Sequence, residues 1–218
     1  MTLHSYLAGS RMVPHKTPAI FHQLMPSRLW RIPNQENKLF LTFDDGPLPG
    51  LTDWLLDVLA NKKVKATFFC VGQNIKRYPE LFRRIIGEGH AIGNHTFNHL
   101  NGFETPKDIY LKNIEITDDI MRQMGKQTDL FRPPYGRLKY TQRKELKEKR
   151  IVMWDVLSKD YLMTLDPEEV LVSTINATES GSIIVFHDNW KAEKNMKYAV
   201  PRFIDHFQAQ GFSFEKIL

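Results

Sequence analysis

One apolar run of the sequence ends on two adjacent carboxylates. The stretch "LTFDDGP" places Asp44 and Asp45 directly after the apolar strand 39–43, and Gly46 and Pro47 then stop the strand. Two like charges side by side repel each other, so a strand that ends on them needs a physical reason. A bound cation would supply that reason, because one carboxylate could bind it while the other acts as a base. The plainer alternative is a polar turn.

Two histidines four residues apart are the next group that can do chemistry. His95 and His99 lie in "GNHTFNH", where one helical turn would bring both rings to one face. In isolation such a pair is more often two surface residues on a loop. Asp45 as a third ligand gives a His2Asp set with open positions, which is typical of catalytic rather than structural zinc. The ligand types predict zinc, and cobalt or another divalent ion fits the same nitrogen and oxygen set.

Polar residues also end later apolar runs. Arg132 ends "DLFR" and carries a planar cationic fork that could hold the carboxylate of Asp44. The stiff turn "PPYG" follows and could aim a backbone N–H into the site as an oxyanion donor. His187 ends the most apolar run, and Asp160 could pair with it and raise its pKa, as a general acid requires. The alternatives are a surface ion pair for Arg132 and a satisfied core histidine for His187.

The runs that carry these residues are continuous rather than alternating, which is typical of parallel strands covered on both faces. The predicted strands are 38–43, 65–71, 90–93, 129–132, 151–156, 182–187 and 212–218. Amphipathic stretches with helix signals lie between them. Helices are predicted from Thr52, from Pro79, from Thr105–Pro106, from Asp166–Pro167, over 141–149, and around 199–210 with Pro201 near its start.

This alternation of strands and helices predicts an α/β protein with a parallel sheet and outer helices. Seven strands are one fewer than in the usual (β/α)8 barrel, so a distorted or incomplete (β/α) barrel with about seven parallel strands is the first choice. A doubly wound open sheet is the alternative. In both, active sites lie beyond the carboxyl ends of the strands, so the candidate residues should meet at one rim. Residues 1–37, interrupted by four prolines, are predicted to form an irregular segment packed on the barrel.

Composition excludes several classes of protein. The 218 residues fit one domain with a sizeable core, and a single cysteine, Cys70, excludes a disulfide framework. The net charge of +5 is spread out, and the densest basic run, 143–150, alternates with glutamates at helical spacing, so no nucleic acid is expected as a partner. No obligate protein partner is evident. No apolar stretch approaches a membrane span or a signal peptide core, which predicts a cytoplasmic protein.

The motifs, in this order, resemble those of the polysaccharide deacetylases, carbohydrate esterase family 4, which carry the NodB homology domain. The five matching motifs are "TFDDGP", "HTFNH", "RPPYG", "WDVLSKDY" and "IIVFHD". The resemblance runs over residues 38–218 and implies that this part is a catalytic domain with a NodB-type distorted barrel. It also implies metal-dependent hydrolysis of the N-acetyl group of an amino sugar, in peptidoglycan or a chitin-type oligosaccharide, with release of acetate.

The resemblance implies a role for each candidate residue. Asp44 resembles the catalytic base and Arg132 its partner, whereas His187 resembles the general acid and Asp160 the residue that tunes it. Tyr135 is similar to the residue whose backbone N–H stabilises the oxyanion. The implied metal ligands are Asp45, His95 and His99.

The fourth motif departs from the usual form. Leu157 stands where relatives often have an aspartate, and Tyr161 where they often have a tryptophan. Tyr161 still offers an aromatic wall to a sugar, and Pro133 and Tyr135 are the other predicted substrate contacts. Two alternatives remain open, namely a hydrolase of a small non-sugar amide and a non-catalytic sugar-binding protein on the same scaffold.

Overall fold

The structure is a computed structural model, and it describes residues 13–218. The first twelve residues of the predicted segment 1–37 lie outside the described residues. The strands are β1 (Arg28–Leu29), β2 (Lys38–Asp44), β3 (Thr67–Cys70), β4 (Ala91–Asn94), β5 (Leu130–Phe131), β6 (Arg150–Val152), β7 (Val156–Leu157), β8 (Ile183–His187) and β9 (Ser213–Phe214). The helices are α1 (Ala19–Leu24), α2 (Thr52–Asn61), α3 (Gly72–Arg77), α4 (Pro79–Gly87), α5 (Lys107–Gln123), α6 (Tyr140–Arg143), α7 (Pro167–Ala177) and α8 (Glu193–Ala209).

The strands form one parallel sheet whose end strands are β1 and β7. Its order is β1-β6-β5-β4-β3-β2-β8-β7, and β9 pairs with the beginning of β2. Only residues 153–155 join β6 to β7, which lie near opposite ends of this order. Four residue steps span at most ~14 Å, so the two strands lie within about three strand spacings of each other. The sheet must therefore curl almost into a ring, which confirms the predicted incomplete (β/α) barrel.

The side chains of the central strand β2 alternate between the two faces of the sheet. One set joins the main apolar core, which includes residues of α2, α4, α7 and α8, and consists of Leu39, Leu41 and Phe43. The other set belongs to the barrel interior and consists of Phe40, Thr42 and Asp44. Phe40 packs in a smaller apolar cluster, whereas Thr42 and Asp44 both contact Arg132. The period of two thus sends Asp44 into the barrel and its apolar neighbours under the helices.

Several elements differ from the sequence prediction. The segment predicted to be irregular contains α1 and β1, and β1 adds to the sheet beside β6. The single strand predicted over 151–156 is two strands, because its first part pairs with β1 and β5 and its second part pairs with β8. Helix α3 was not predicted, and the helix predicted over 141–149 is only the short α6.

The last helix also begins earlier than predicted. It starts at Glu193, so Pro201 lies inside α8 rather than near its start. A proline inside a helix costs about 3 kcal/mol. The buried stripe of α8 offsets that cost, and it includes Met196, Ala199, Val200, Phe203, Ile204 and Phe207. Across residues 13–218, every helix is too short or too polar to cross a bilayer.

Candidate active site

The carboxyl ends of the strands bring the predicted residues to one rim. Asp44, the last residue of β2, is paired in register with His187, the last residue of β8. On the other side of β2, Asn94 at the end of β4 is in register with Phe131 of β5, so His95 and Arg132 follow at the same level. The rim predicted from the sequence is therefore present, and it joins residues that are more than 140 positions apart in the chain.

Asp45 leaves the strand with a left-handed backbone, φ 89°. This conformation is less costly for aspartate than for most residues, and it turns the second carboxylate away from the first. Asp45 Oδ1 lies 3.1 Å from Nε2 of His99 and 3.6 Å from Nε2 of His95. Burial by itself would raise the pKa of Asp45, but His99 and the other nearby imidazoles hold that pKa well below its usual range. The carboxylate is therefore charged at neutral pH.

The two histidines meet without the helical turn expected from their spacing. Residues 95–99 are a loop with left-handed backbone at Thr96 and His99, and its fold places the two ring centroids 5.0 Å apart. The Nδ1 of His95 lies 2.7 Å from the carbonyl oxygen of Arg132, which can only accept a hydrogen bond. Nδ1 therefore carries the proton, and the lone pair of Nε2 faces Asp45. Burial lowers the pKa of His95 to about 4, so the ring is neutral and available as a ligand.

These three side chains fit a divalent metal ion. One atom from each, Asp45 Oδ1 and a ring nitrogen of His95 and of His99, lies within 4.8 Å of the others. Asp45 Oδ1 is buried and accepts no hydrogen bond from the protein, so a cation would satisfy it. The hydrogen bond from His95 to a carbonyl also fits a metal site, because histidines that bind metal ions commonly donate their other ring N–H in this way.

One oxygen of Asp44, Oδ1, lies against a buried arginine. Arg132 donates from Nη1 to Asp44 Oδ1 at 2.6 Å and to the hydroxyl of Thr42 at 2.8 Å. Its other nitrogens donate to the backbone carbonyls of Val152 and Met153 at the end of the neighbouring strand β6. The guanidinium is fully buried, and every one of these contacts satisfies a donor. Arg132 therefore orients Asp44 and supplies the charge that opposes it.

His187 forms a second acid–base pair on the opposite side of Asp44. Its Nδ1 lies 2.7 Å from Oδ1 of Asp160, and its backbone N–H donates to the other carboxylate oxygen at 2.8 Å. Burial would lower the pKa of His187, but the buried negative charge of Asp160 raises it to about 9. His187 therefore carries a proton at neutral pH.

Two aromatic side chains flank the cluster. The ring of Tyr135 lies edge-on to His99 with centroids 4.7 Å apart and is 48% exposed, whereas Tyr161 lies edge-on to His187 at 5.0 Å. Tyr135 has a left-handed backbone, φ 59°, within the short 3-10 turn Pro134–Gly136. Pro133, the third predicted substrate contact, directly precedes this turn and is buried, so it offers little surface to a ligand. Of the three predicted substrate contacts, the two tyrosines are therefore the ones whose rings could contact a bound sugar.

Sequence reasoning gave no role to the two residues after His187. Asp188 accepts hydrogen bonds from the backbone N–H of Gly46 at 2.9 Å and from the hydroxyl of Thr52 at 2.7 Å. A side chain at Gly46 would overlap the Asp188 carboxylate, since a Cβ there would lie 1.9 Å from it. Asn189 donates from Nδ2 to Oδ2 of Asp45 at 2.6 Å. The motifs "DDGP" and "HDN" could have indicated these contacts. A glycine directly after two carboxylates leaves room for another side chain to pack against the backbone, as Asp188 does at Gly46.

Comparison with known proteins supplies the family. The family model described as polysaccharide deacetylase matches residues 31–154. A peptidoglycan-N-acetylglucosamine deacetylase of Bacillus cereus is 32% identical over 189 residues, which cover 85% of this chain and 88% of that protein. The peptidoglycan-N-acetylmuramic acid deacetylase PdaC of Bacillus subtilis is 33% identical over 181 residues, 83% of this chain but only 38% of PdaC.

A solved structure agrees over most of both chains. It is a crystal structure of a peptidoglycan N-acetylglucosamine deacetylase in complex with 4-naphthalen-1-yl-N-oxidanyl-benzamide. It superposes with a TM-score of 0.85 at 30% identity and covers 92% of this chain and 95% of that one. The chain belongs to the polysaccharide deacetylase family, and its fold is the distorted barrel of that family.

Proposed function

We propose that this protein is a metal-dependent N-deacetylase that removes the acetyl group from an N-acetylated amino sugar and releases acetate. One observation carries the proposal, namely that a triad able to bind a cation lies beside a buried base at the same rim as a protonated histidine. The triad is Asp45, His95 and His99, and the two flanking residues are Asp44 and His187. A protein that only binds sugars needs no such opposed pair.

Zinc or another divalent ion held by the triad would polarise the amide carbonyl and make a water molecule more acidic. Asp44 is the proposed base, since its Oδ2 lies 3.9 Å from Nε2 of His95 and so borders the same space. Arg132 holds the other oxygen of Asp44 and fixes the direction of the carboxylate. Asp44 takes one proton from the water as the water oxygen bonds to the acetyl carbon.

His187 is the proposed acid. Its proton is present at neutral pH because Asp160 stabilises the imidazolium. As the bond between carbon and nitrogen breaks, His187 gives this proton to the leaving nitrogen, which departs as the amine of the sugar. The backbone N–H of Tyr135 is proposed to donate to the oxyanion, and the rings of Tyr135 and Tyr161 to flank the sugar. Acetate and a free amino sugar are the products.

The proposed substrate class is the N-acetylated sugar of peptidoglycan, which the names of the similar proteins favour over a chitin-type oligomer. A peptidoglycan substrate lies outside the cytoplasm, whereas the lack of a long apolar stretch predicts a cytoplasmic protein. The compartment stays a prediction, and fractionation of the native host with an antibody to this chain tests it. Recovery from the wall fraction would favour intact peptidoglycan, and recovery from the cytoplasm would favour soluble fragments.

Acetate release is the test of the function. The full chain is stripped of metal, reloaded with zinc or with cobalt, and offered peptidoglycan fragments and N-acetylglucosamine oligomers. We expect metal-dependent acetate from at least one of them. Turnover that is the same with and without metal would contradict the proposal, and so would a metal-loaded protein that binds these sugars but releases no acetate.

Asp44→Asn is the matched control for the chemistry, because asparagine keeps the shape of the side chain and removes its basicity. We expect this variant to bind metal like the unaltered protein and to lose about 10²–10⁴-fold in rate. Full activity of Asp44→Asn would remove Asp44 as the base without disproving deacetylation. His95→Ala should bind metal much more weakly, and an unchanged metal content would remove His95 from the ligand set.

A further inference from the structure

Asp45 has two carboxylate oxygens, and only one of them faces the histidines. Oδ1 lies toward His95 and His99, whereas Oδ2 accepts a hydrogen bond from Nδ2 of Asn189 at 2.6 Å. We propose that Asn189 is a positioning residue that restricts Asp45 to one-oxygen coordination and thereby sets the affinity and the selectivity of the metal site. This inference rests on the proposed metal-dependent function.

Asn189 is itself held in place by the turn that follows β8. Its Oδ1 accepts hydrogen bonds from the backbone N–H groups of Lys191, at 2.9 Å, and Ala192, at 3.0 Å. These two bonds assign the oxygen and the nitrogen of the amide, because a backbone N–H needs an acceptor. The nitrogen must therefore point to Asp45. A donor whose rotamer is locked at the other end loses little entropy when it binds the carboxylate.

The backbone of Asp45 is anchored from the opposite side. Asn74 donates from Nδ2 to the carbonyl oxygen of Asp45 at 2.8 Å. The left-handed backbone of Asp45 is thus held by one asparagine and its carboxylate by another. With Oδ2 occupied, the two-oxygen binding that large cations such as calcium often use would require breaking the bond to Asn189. One oxygen and two imidazole nitrogens remain, which is a zinc-like set.

Asn189→Ser separates this role from folding. Serine keeps a hydroxyl oxygen that can accept from the turn N–H groups, but it is too short to reach Asp45. The metal-free full chain is titrated with zinc and, separately, with manganese in competition with a chromophoric chelator. We expect zinc affinity to fall about 10–100-fold, the usual effect of losing an outer hydrogen bond to a metal ligand. Manganese, which prefers oxygen ligands, should lose less.

Asn34→Ser is the matched control variant. Asn34 also accepts two backbone N–H groups through Oδ1, but its Nδ2 donates to the carbonyl oxygens of Ile32 and Lys38 instead of a carboxylate. We expect Asn34→Ser to bind zinc like the unaltered protein. The thermal midpoint of each metal-free variant shows whether a changed affinity follows from changed folding.

Two results would overturn the inference. Unchanged zinc affinity in Asn189→Ser would show that the bond to Asp45 does not matter, and equal losses for zinc and manganese would show a general disturbance of the loop. Neither result affects the proposed deacetylase reaction, which acetate release decides separately. If the unaltered protein bound no metal at all, both proposals would be overturned. Acetate release by this metal-free protein would then show that the reaction does not depend on a metal ion.

Discussion

His95 and His187 are both enclosed imidazoles at the same rim of the barrel, yet they favour opposite protonation states. Each places its Nδ1 2.7 Å from an oxygen atom. For His95 that oxygen is the neutral carbonyl of Arg132, and burial lowers the pKa to about 4. For His187 it is a carboxylate oxygen of Asp160, and this charge outweighs burial and raises the pKa to about 9.

The difference shows that the charge of the acceptor decides what a buried histidine can do. A neutral acceptor orients the ring and leaves Nε2 free to bind a cation, whereas a buried carboxylate keeps a proton on the ring. Titratable groups whose environments push their pKa values apart are the expected signature of an acid–base site. The His95 side is thus suited to a metal and the His187 side to a proton.

Replacing each histidine should show the largest contrast between the two sides. We expect His95→Ala to lose both zinc binding and activity, because it removes one of the three proposed metal ligands. We expect His187→Ala to keep zinc binding and to lose about 10²–10⁴-fold in rate, as a general acid does. Metal content and acetate release measured on the same samples test this. A His187→Ala protein that has lost its zinc would contradict the division of the site.

Arg132→Met should mainly damage the Asp44 side of the site. The change removes the partner of a buried carboxylate, which costs about 3–5 kcal/mol of the free energy of unfolding. Denaturant unfolding of the metal-free protein measures this loss. The pKa of His187, measured by NMR in the same variant, should change much less than it does in Asp160→Asn. A loss below about 1 kcal/mol would show that this ion pair contributes no more to stability than an exposed one.

Asp160→Asn should move the His187 side toward the behaviour of His95. Because Asp160 is the largest cause that raises the pKa of His187, we expect this pKa to fall from about 9 in the metal-free protein. NMR titration of the ring measures it directly, and the alkaline limb of the kcat profile should move to lower pH. The pair stabilises the fold below pH ~6.5, and this contribution is lost as the pH rises through about 9. An unchanged titration would remove Asp160 as the tuning group.

Asp188→Asn should have the smallest effect, because the Asp188 side chain hydrogen-bonds to Gly46 and Thr52 and to no residue of the His95 side or the His187 side. One of its two acceptor oxygens becomes a donor that faces Gly46 or Thr52, so about 1–3 kcal/mol of the free energy of unfolding should be lost. Asp188→Ala is the comparison, since it removes both contacts without a donor clash. Equal stability of Asp188→Asn and the unaltered protein would show that the turn after β2 holds without these bonds.

The architecture and most of the site could be predicted from the sequence because both depend on local patterns. Continuous apolar runs predict buried parallel strands, and the carboxyl ends of parallel strands share a rim, so Asp44, Arg132 and His187 could be grouped before any coordinates. The short β1 and the division of 151–156 into two strands could not be predicted this way. A strand of two residues is too short to show a hydrophobic pattern. The chain switches strand partners at 153–155 only because the sheet curls.

Residue types at the strand ends determined which groups this protein can use, namely carboxylates, imidazoles and one guanidinium. The tertiary structure alone decided which atom of each group faces which partner. Asp45 turns through a left-handed backbone, the loop 95–99 replaces the expected helical turn, and Asn189 reaches Asp45 from a position 144 residues away. Protonation depends on burial and on charges within a few ångströms, and both arise only when distant parts of the chain meet.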